Sequence, residues 1–397
     1  MFDLIRLSIA LILILFLLRK KWNVGYVLMT ASGFLALLYL MKPSTILLVI
    51  KNALTGSITI KLLIALTFIR IFEFILRDKA ILKKMMESMN GLFHNKKLVV
   101  ISMPLLIGML PSVGGAYFSA PMVDEATRDL SITPEEKAFA NYWFRHPWEF
   151  ILPLYPGIIL ASVLTSIELR IFIILNLSYA ITMFLVGLWG IREIRGRYNI
   201  LEEVSMKGLW SFLPIIILLG LVIIGHIELY LALIILIVML IIYFRYPLRK
   251  TTEAFKYGLS KDVVVLIIGV MFLKEALEVS GAVGNISKFF YENNIPMIPI
   301  LFFLPFLTGL LTGITVGFVG STFPLIMNLI GNAPHAFTHA FILAFASGFV
   351  GVLLSPVHVC LILTKEYFNA DIWGIYKKTI PAAGAVMIVA VLEFLFW

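Results

Sequence analysis

Apolar residues run along this chain in long, nearly unbroken stretches separated by short polar ones. Stretches of this length and purity are those that cross a bilayer as helices. The pattern predicts ten spans: residues 3–18, 23–41, 58–76, 150–165, 169–187, 209–224, 228–244, 262–279, 334–354 with an extension to 364, and 379–397. Two further apolar runs, near 98–123 and 299–330, are broken by proline and glycine. The first leads into "LPSVGGAYFSAPMVDEA", residues 110–126, where Pro111, Gly114, Gly115 and Pro121 interrupt the helix. Irregular backbone at membrane depth is tolerated only where protein buries it or where it lines a wet cavity. A re-entrant hairpin tip meets that condition, so hairpins are expected over 98–128 and 299–331.

Charge orients these elements. Basic residues cluster at 19–21, 77–97, 192–207, 245–261 and 365–378, while the intervening loops hold only Lys42 and Lys51, Arg170, and Lys288. Placing every basic cluster in the cytoplasm puts both termini outside and makes each hairpin return to the face it entered from. Were 98–123 to cross instead, Arg192, Arg195 and Arg197 would all lie outside. The first run ends in Arg19–Lys20–Lys21 and not in a small-residue cleavage site, so it reads as an uncleaved span. Within 77–97, Leu82, Met85, Met86, Met89 and Phe93 alternate with charge, the pattern of a cytoplasmic interfacial helix.

Composition narrows the picture without changing it. Among 397 residues 61% are apolar and 14% charged, with a mean hydropathy of +1.00. The net charge of +9 lies in short loops between spans, which is an orientation signal and no footprint of nucleic acid. The single Cys360 excludes an internal disulfide and lies in an apolar run, which argues against redox chemistry. No P-loop is present, so nothing points to an ATP-driven pump.

The two halves of the chain resemble each other. "PLLIGMLPSVGGAYFSAP" from Pro104 lies over "PFLTGLLTGITVGFVGSTFP" from Pro305, pairing Pro104, Gly108 and Leu110 with Pro305, Gly309 and Leu311 at an offset of 201. Downstream, "ILPLYPGIIL" from Ile151 lies over "LLSPVHVCLIL" from Leu353, with Pro153 opposite Pro356. Upstream, "ALTGSITIKLLIAL" from Ala53 lies over "GLSKDVVVLIIGV" from Gly258. The expectation is an all-α polytopic membrane protein of two inverted repeats, 1–190 and 208–397, joined by a cytoplasmic linker at 191–207. Each half holds three spans, a hairpin, a broken span and a final span. Inverted halves with discontinuous helices are a signature of secondary transporters.

Through this architecture, and through "LPSVGGAYFSAP", "GITVGFVGSTFP" and "SPVHVCLILT", the whole chain resembles the ion transporter superfamily of secondary transporters. That group includes sodium-coupled dicarboxylate, citrate, gluconate and lactate permeases. Within it the chain is most similar to a domain-of-unknown-function family of prokaryotic integral membrane proteins. The resemblance implies a homodimer in which a fixed scaffold supports a transport part moving as an elevator. Dicarboxylate members carry Ser-Asn-Thr at both hairpin tips. Here Ser112-Val113-Gly114 and Gly313-Ile314-Thr315 stand in those places, so neither dicarboxylate specificity nor sodium coupling carries over.

Candidate chemistry gathers at the tips and breaks. A hairpin tip offers free N–H groups at the positive end of its returning helix, and glycine lets a ligand come close. Substrate contacts are expected at Ser112, Val113, Gly114 and Gly115, at Thr315 and Gly317, and at Arg145, whose guanidinium can pair a carboxylate. Ser321 and Thr322, further along the second returning arm, are also expected to contact substrate, and Ser119 lies further along the first. Small residues there also serve tight helix packing. The first broken span, "TPEEKAFANYWFRHPWEFILPLYP", opens on Thr133 and Glu136 as a capping box and then meets Pro147, Pro153 and Pro156. The second, "SGFVGVLLSPVHV", is interrupted around Ser355–His358. A coupling ion is expected near Ser112, Glu149, Pro153, Thr315, Ser355, Pro356 and His358, where freed carbonyls can hold a cation. Arg145, His146 and Glu149 surround the first break, where charge at membrane depth points to function; Arg145 can alternatively pair Glu149, His358 can be a satisfied core histidine, and both breaks can be simple proline kinks. His335 and His339 share a helical face without the partner motif of a zinc site. Arg70 with Glu73, and Glu275 with Glu278, read as structural pairs or a proton relay.

The expected function is secondary active transport of a small anionic metabolite, a carboxylate foremost, coupled to sodium or protons. No catalytic residue, no cofactor and no metal beyond sodium is expected. The partners are the small-molecule anion and the lipid bilayer, and the location is the cell membrane of a prokaryote. The rivals are an intramembrane enzyme acting on lipid or peptide, a cation/proton antiporter and a passive channel.

Overall fold

In the computed structural model, residues 2–20, 22–81, 84–85, 95–111, 115–196, 210–281, 296–330 and 334–396 are described, with backbone alone at 4, 117–118, 328–330 and 334–337. Among the described residues the chain is helical and has no strand. It opens with α1 (Phe2–Arg19), α2 (Val24–Leu38), α3 (Pro43–Thr55) and α4 (Ser57–Asp78). The helix pair α5 (Lys96–Gly108) and α6 (Gly115–Ala126) follows, then α7 (Pro134–Trp143), a 3-10 turn Pro147–Phe150, α8 (Pro156–Thr165) and α9 (Leu169–Gly190). After a 3-10 turn Trp210–Phe212 come α10 (Leu213–Leu219), which runs into a π turn at Gly220–Ile224, then α11 (Leu229–Tyr243), α12 (Leu248–Gly258) and α13 (Lys261–Ser280). A second pair, α14 (Met297–Thr312) and α15 (Thr315–Ile330), precedes α16 (Pro334–Leu353), α17 (Val359–Phe368) and α18 (Ile372–Phe396).

Helix interruptions fall within both broken runs and at both expected breaks, with residues 112–114 of the first run outside the described residues. Other expected bounds are corrected. The loop assigned to Lys42 and Lys51 is helix α3, started by Pro43 at a position where its missing N–H costs nothing. The basic stretch 245–261 contains α12, whose Ala254 and Gly258 are buried against α4 while its charges face outward. The 150–165 span is helical only from Pro156, because Pro147, Pro153 and Pro156 each remove a backbone donor and restrict the residue before. The extension of 334–354 to 364 is a separate helix, α17, and the last helix starts at Ile372 rather than 379. Most of the interfacial helix expected at 77–97 lies outside the described residues.

Packing repeats itself along the chain. α3 lies against α13, and α12 lies against α4; α2 packs on α13, and α11 on α4. The first hairpin rests on its own break: Gly108 meets the Arg145 carbonyl, and Trp148 Nε1 donates to the Leu105 carbonyl at 2.7 Å. In the second half Gly309 meets the Gly348 carbonyl, and Gly351 meets that of Phe306. A side chain at these glycines would collide with backbone, so the helices approach as closely as their main chains permit. Each returning arm then crosses over: α15 packs on α8, and α6 on α17. Among the described residues two helices, α9 and α18, are long and apolar enough to cross a membrane. Their outward faces carry Ile174, Leu177, Ile181 and Leu185, and Ile388, Leu392 and Leu395, all exposed.

Candidate functional site: two helix breaks and a hairpin tip

The first break is built by local sequence. α7 begins with the capping box foreseen: Thr133 N donates to Glu136 Oε2 at 2.9 Å, and Glu136 N to Thr133 Oγ1 at 3.3 Å. It stops at Trp143 ahead of Pro147, leaving Phe144–Tyr155 outside any α-helix, with only the 3-10 turn Pro147–Phe150 between α7 and α8. In the second half α16 stops at Leu353 ahead of Pro356, and α17 restarts behind His358, which holds the N-cap position. Carbonyls freed by these interruptions are met by side chains. Tyr142 Oη donates to the Leu353 carbonyl and Tyr376 Oη to that of Leu354, both at 2.8 Å, and Tyr155 Oη donates to the Gly108 carbonyl. Asn141 Nδ2 bridges the Ala116 carbonyl (2.9 Å) and Thr364 Oγ1 (3.1 Å), tying α7 to both α6 and α17.

The second hairpin tip sits between the breaks. It turns on Gly313 at φ +65°, in the left-handed region glycine enters freely. The Gly313 carbonyl lies 2.6 Å from His358 Nδ1, and Thr315, the first residue of α15, donates its hydroxyl to Glu149 Oε2 at 2.8 Å. Gly157, at the start of α8, packs directly on the Thr315 side chain. The starts of α8, α15 and α17 thus gather around one point, each presenting the positive end of its dipole.

At that point His146 and His358, 212 residues apart in sequence, face each other with Nε2 atoms 3.0 Å apart. Both rings are buried. His146 Nδ1 lies 2.6 Å from the Tyr142 carbonyl, and His358 Nδ1 equally close to that of Gly313. A carbonyl only accepts, so each Nδ1 carries its hydrogen, and a neutral ring then presents a lone pair at Nε2. Two lone pairs do not face each other at 3.0 Å unaided: either one ring carries a second proton, or both nitrogens address one cation. Tyr142 covers both rings at centroid distances of 4.6 and 5.7 Å, Glu149 Oε1 lies 3.8 Å from His146 Nε2, and the buried Cys360 thiol completes the cluster.

Of the residues singled out in the sequence, the fold brings together His146, Glu149, Thr315, Ser355 and His358. The Ser355 hydroxyl is buried and accepts from Val357 N at 3.3 Å. Pro153 is buried within the first break, whereas Pro356 is exposed on the second. Arg145 is buried and already engaged. Gly317 packs on the Thr312 side chain, and Gly115 opens α6. Ser119, Ser321 and Thr322 are buried and donate to carbonyls of their own helices, those of Ala116, Gly317 and Phe318. Ser112, Val113, Gly114 and the His335 side chain lie outside the described residues. The alternative of i, i+3 pairing in α4 and α13 is corrected: Glu73 bonds Arg77 at 2.6 Å, and Lys274 bonds Glu278 at 2.6 Å. Arg70 donates instead to the Tyr257 carbonyl and stacks on that ring, and Glu275 accepts from Asn52 of α3.

Sequence reading missed three members of the site. Cys360 reads in sequence as no more than an unpaired thiol in an apolar run, yet its place two residues behind His358 sets it in the first turn of α17, beside the imidazole. Asn141 and Tyr142 sit in an apolar run with nothing in sequence to mark them.

No curated protein matches the chain. A family model described as "Protein of unknown function (DUF401)" matches residues 3–396, and the chain belongs to that family.

Proposed function

We propose that the protein is a secondary transporter that carries a small anionic metabolite, a carboxylate foremost, across a prokaryotic cell membrane, coupled to sodium or protons. The observation that carries this reading is the junction at Gly313–Thr315, where one hairpin tip bonds both interrupted helices, through His358 and through Glu149. Discontinuous helices meeting at the centre of two related halves are how such carriers bind substrate and ion together. The matched contacts of Gly108 with Arg145 and of Gly309 with Gly348, and the crossed packing of α15 on α8 and α6 on α17, support two related halves. Three helix starts at one point, with Arg145 buried nearby, favour an anion. The exposed apolar stripes of α9 and α18 suit lipid better than water. The ion transporter superfamily resemblance adds a homodimer, an elevator movement and a multi-pass topology with both termini outside.

Saturable uptake into proteoliposomes is the test, using labelled mono-, di- and tricarboxylates under imposed sodium or proton gradients. Uptake of one class that follows a gradient supports the proposal. Failure of every carboxylate under both gradients overturns the anion reading. Cation antiport is the second reading, favoured by Glu149, a carboxylate of the protein's own at the start of α15. Sodium or potassium efflux that raises internal proton loading without any anion would select it.

A further inference from the structure

Beyond anion carriage, the centre of the molecule offers donors that no anion requires. We infer that His146, His358 and Cys360 form a binding site for one transition-metal cation of the zinc class. A ring nitrogen from each histidine and the Cys360 sulfur all lie within 4.8 Å of one another, and all three side chains are buried.

Three features argue for a metal over an ordinary polar cluster. The first is orientation. Each imidazole is held by a hydrogen bond from Nδ1 to a backbone carbonyl, at 2.6 Å in both cases, which aims the Nε2 lone pairs at a shared point. Metal-binding histidines are held in this manner, the outer hydrogen bond setting tautomer and ring plane. The second is spacing. Metal–nitrogen bonds of about 2.0–2.1 Å and a metal–sulfur bond of about 2.3 Å in a tetrahedron need nitrogens about 3.3 Å apart and sulfur about 3.6 Å from each. The observed 3.0 Å between Nε2 atoms and the 4.8 Å envelope reach that arrangement through movements of about 1 Å. The third is donor chemistry. Two imidazoles and a thiolate select zinc or its soft neighbours, whereas sodium, magnesium and calcium take oxygen. Glu149 Oε1 lies 3.8 Å from His146 Nε2, beside this group of three donors.

The ligands come from both breaks, so the metal would pin the two interrupted helices to each other. A cavity of about 600 Å³ between the 19–24 segment, the start of α13 and the second hairpin is lined by Asp262, Thr312, Ile314, Pro356 and Val357. Its lining includes the residues that flank Gly313 and precede His358. The site stands whether or not the protein transports anything, and binding is read without transport.

The experiment uses the full chain, freed of any histidine tag, in detergent. After chelator treatment and dialysis it is titrated with Co²⁺. The expected result is a thiolate-to-cobalt charge-transfer band in the near ultraviolet with tetrahedral bands in the visible, saturating at one equivalent and displaced by Zn²⁺. Cys360→Ser removes the charge-transfer band and keeps weakened visible bands. His146→Gln with His358→Gln lowers affinity by more than the about 10–100-fold typical of losing an outer-shell partner. The wild-type spectrum decides even if a variant fails to fold. A wild-type spectrum equal to that of hydrated Co²⁺, together with no retained zinc, overturns the site and leaves the two histidines sharing a proton.

Discussion

Gly313 is where the second hairpin turns, and replacing it by alanine tests both its conformation and its contacts. Two other glycines separate the contributions. Gly384, within α18, has ordinary helical geometry and nothing within 4 Å of the position a side chain would take. Alanine there stabilises by about 0.5–1 kcal/mol through the backbone freedom it removes. Gly281, capping α13, shares the φ of +65° and is likewise open. Gly281→Ala therefore costs only the left-handed conformation, about 1–2 kcal/mol. Gly313→Ala incurs that cost, and its new Cβ also falls 2.9 Å from His358 N and 3.0 Å from both His358 Cα and Ser355 Oγ. Two of those three atoms are backbone, so relief requires the tip to part from the break. Overpacking of this kind adds about 1–3 kcal/mol, for a total of about 2–5 kcal/mol. Thermal unfolding of the three variants in one detergent at one scan rate should rank Gly384→Ala above wild type, Gly281→Ala below it and Gly313→Ala lowest. If Gly313→Ala melts no lower than Gly281→Ala, the tip does not rest on the second break and the site as described is wrong.

The Thr315–Glu149 hydrogen bond joins the hairpin to the first break. Hydrogen bonds to charged groups contribute about 1.5–3 kcal/mol, and a double-mutant cycle of Thr315→Val and Glu149→Gln should return a coupling of about 1–2 kcal/mol, allowing for the partial exposure of the carboxylate. Additive single variants would break that link. At the end of α4, the Asp78 carboxylate is held below the ordinary carboxylate range, chiefly by its hydrogen bond from Lys250 and further by one from Tyr246. A depressed acid stabilises the fold above its unfolded pKa and stops doing so as pH falls through the folded value. Asp78→Asn should therefore flatten part of the acid limb of stability against pH, modestly because the pair is largely exposed; an unchanged limb removes Asp78 from the account.

How far the site was legible in sequence follows from how each part is encoded. Interruptions are written locally: Pro147, Pro153, Pro156 and Pro356 prevent a helix from running through them from the preceding turn, and the Thr133–Glu136 box announces α7. Helices α3 and α12 escaped because their polar residues imitate loops. Lys51 and Asn52 break the apolar run of α3, and α12 buries only a narrow stripe against α4. The cluster itself was invisible for a different reason. His146 and His358 are 212 positions apart, and Glu149 and Thr315 are 166 apart, so no spacing rule connects them. Only the crossing of α15 onto α8 and of α6 onto α17 brings them together, and that is a matter of tertiary packing rather than of any motif.

The same packing bears on alternating access. Leu110 and Leu311 occupy matching positions 201 apart, just before the two tips, yet their surroundings differ. Leu311 lines the 600 Å³ cavity, while Leu110 is 1% exposed. On the proposed carrier reading, halves in unlike environments are one stage of a two-stage cycle, since a carrier open on one side must be sealed on the other, and turnover would exchange the two exposures. With the buried Cys360 of the wild-type chain setting the background, Leu311→Cys should react quickly with a polar thiol reagent and Leu110→Cys slowly. Imposing the gradient and substrate that drive uptake should slow the first and quicken the second. A channel or a static scaffold makes neither change, and rates that rise or fall together would refute the exchange, because a single passage opening through the protein exposes both positions at once.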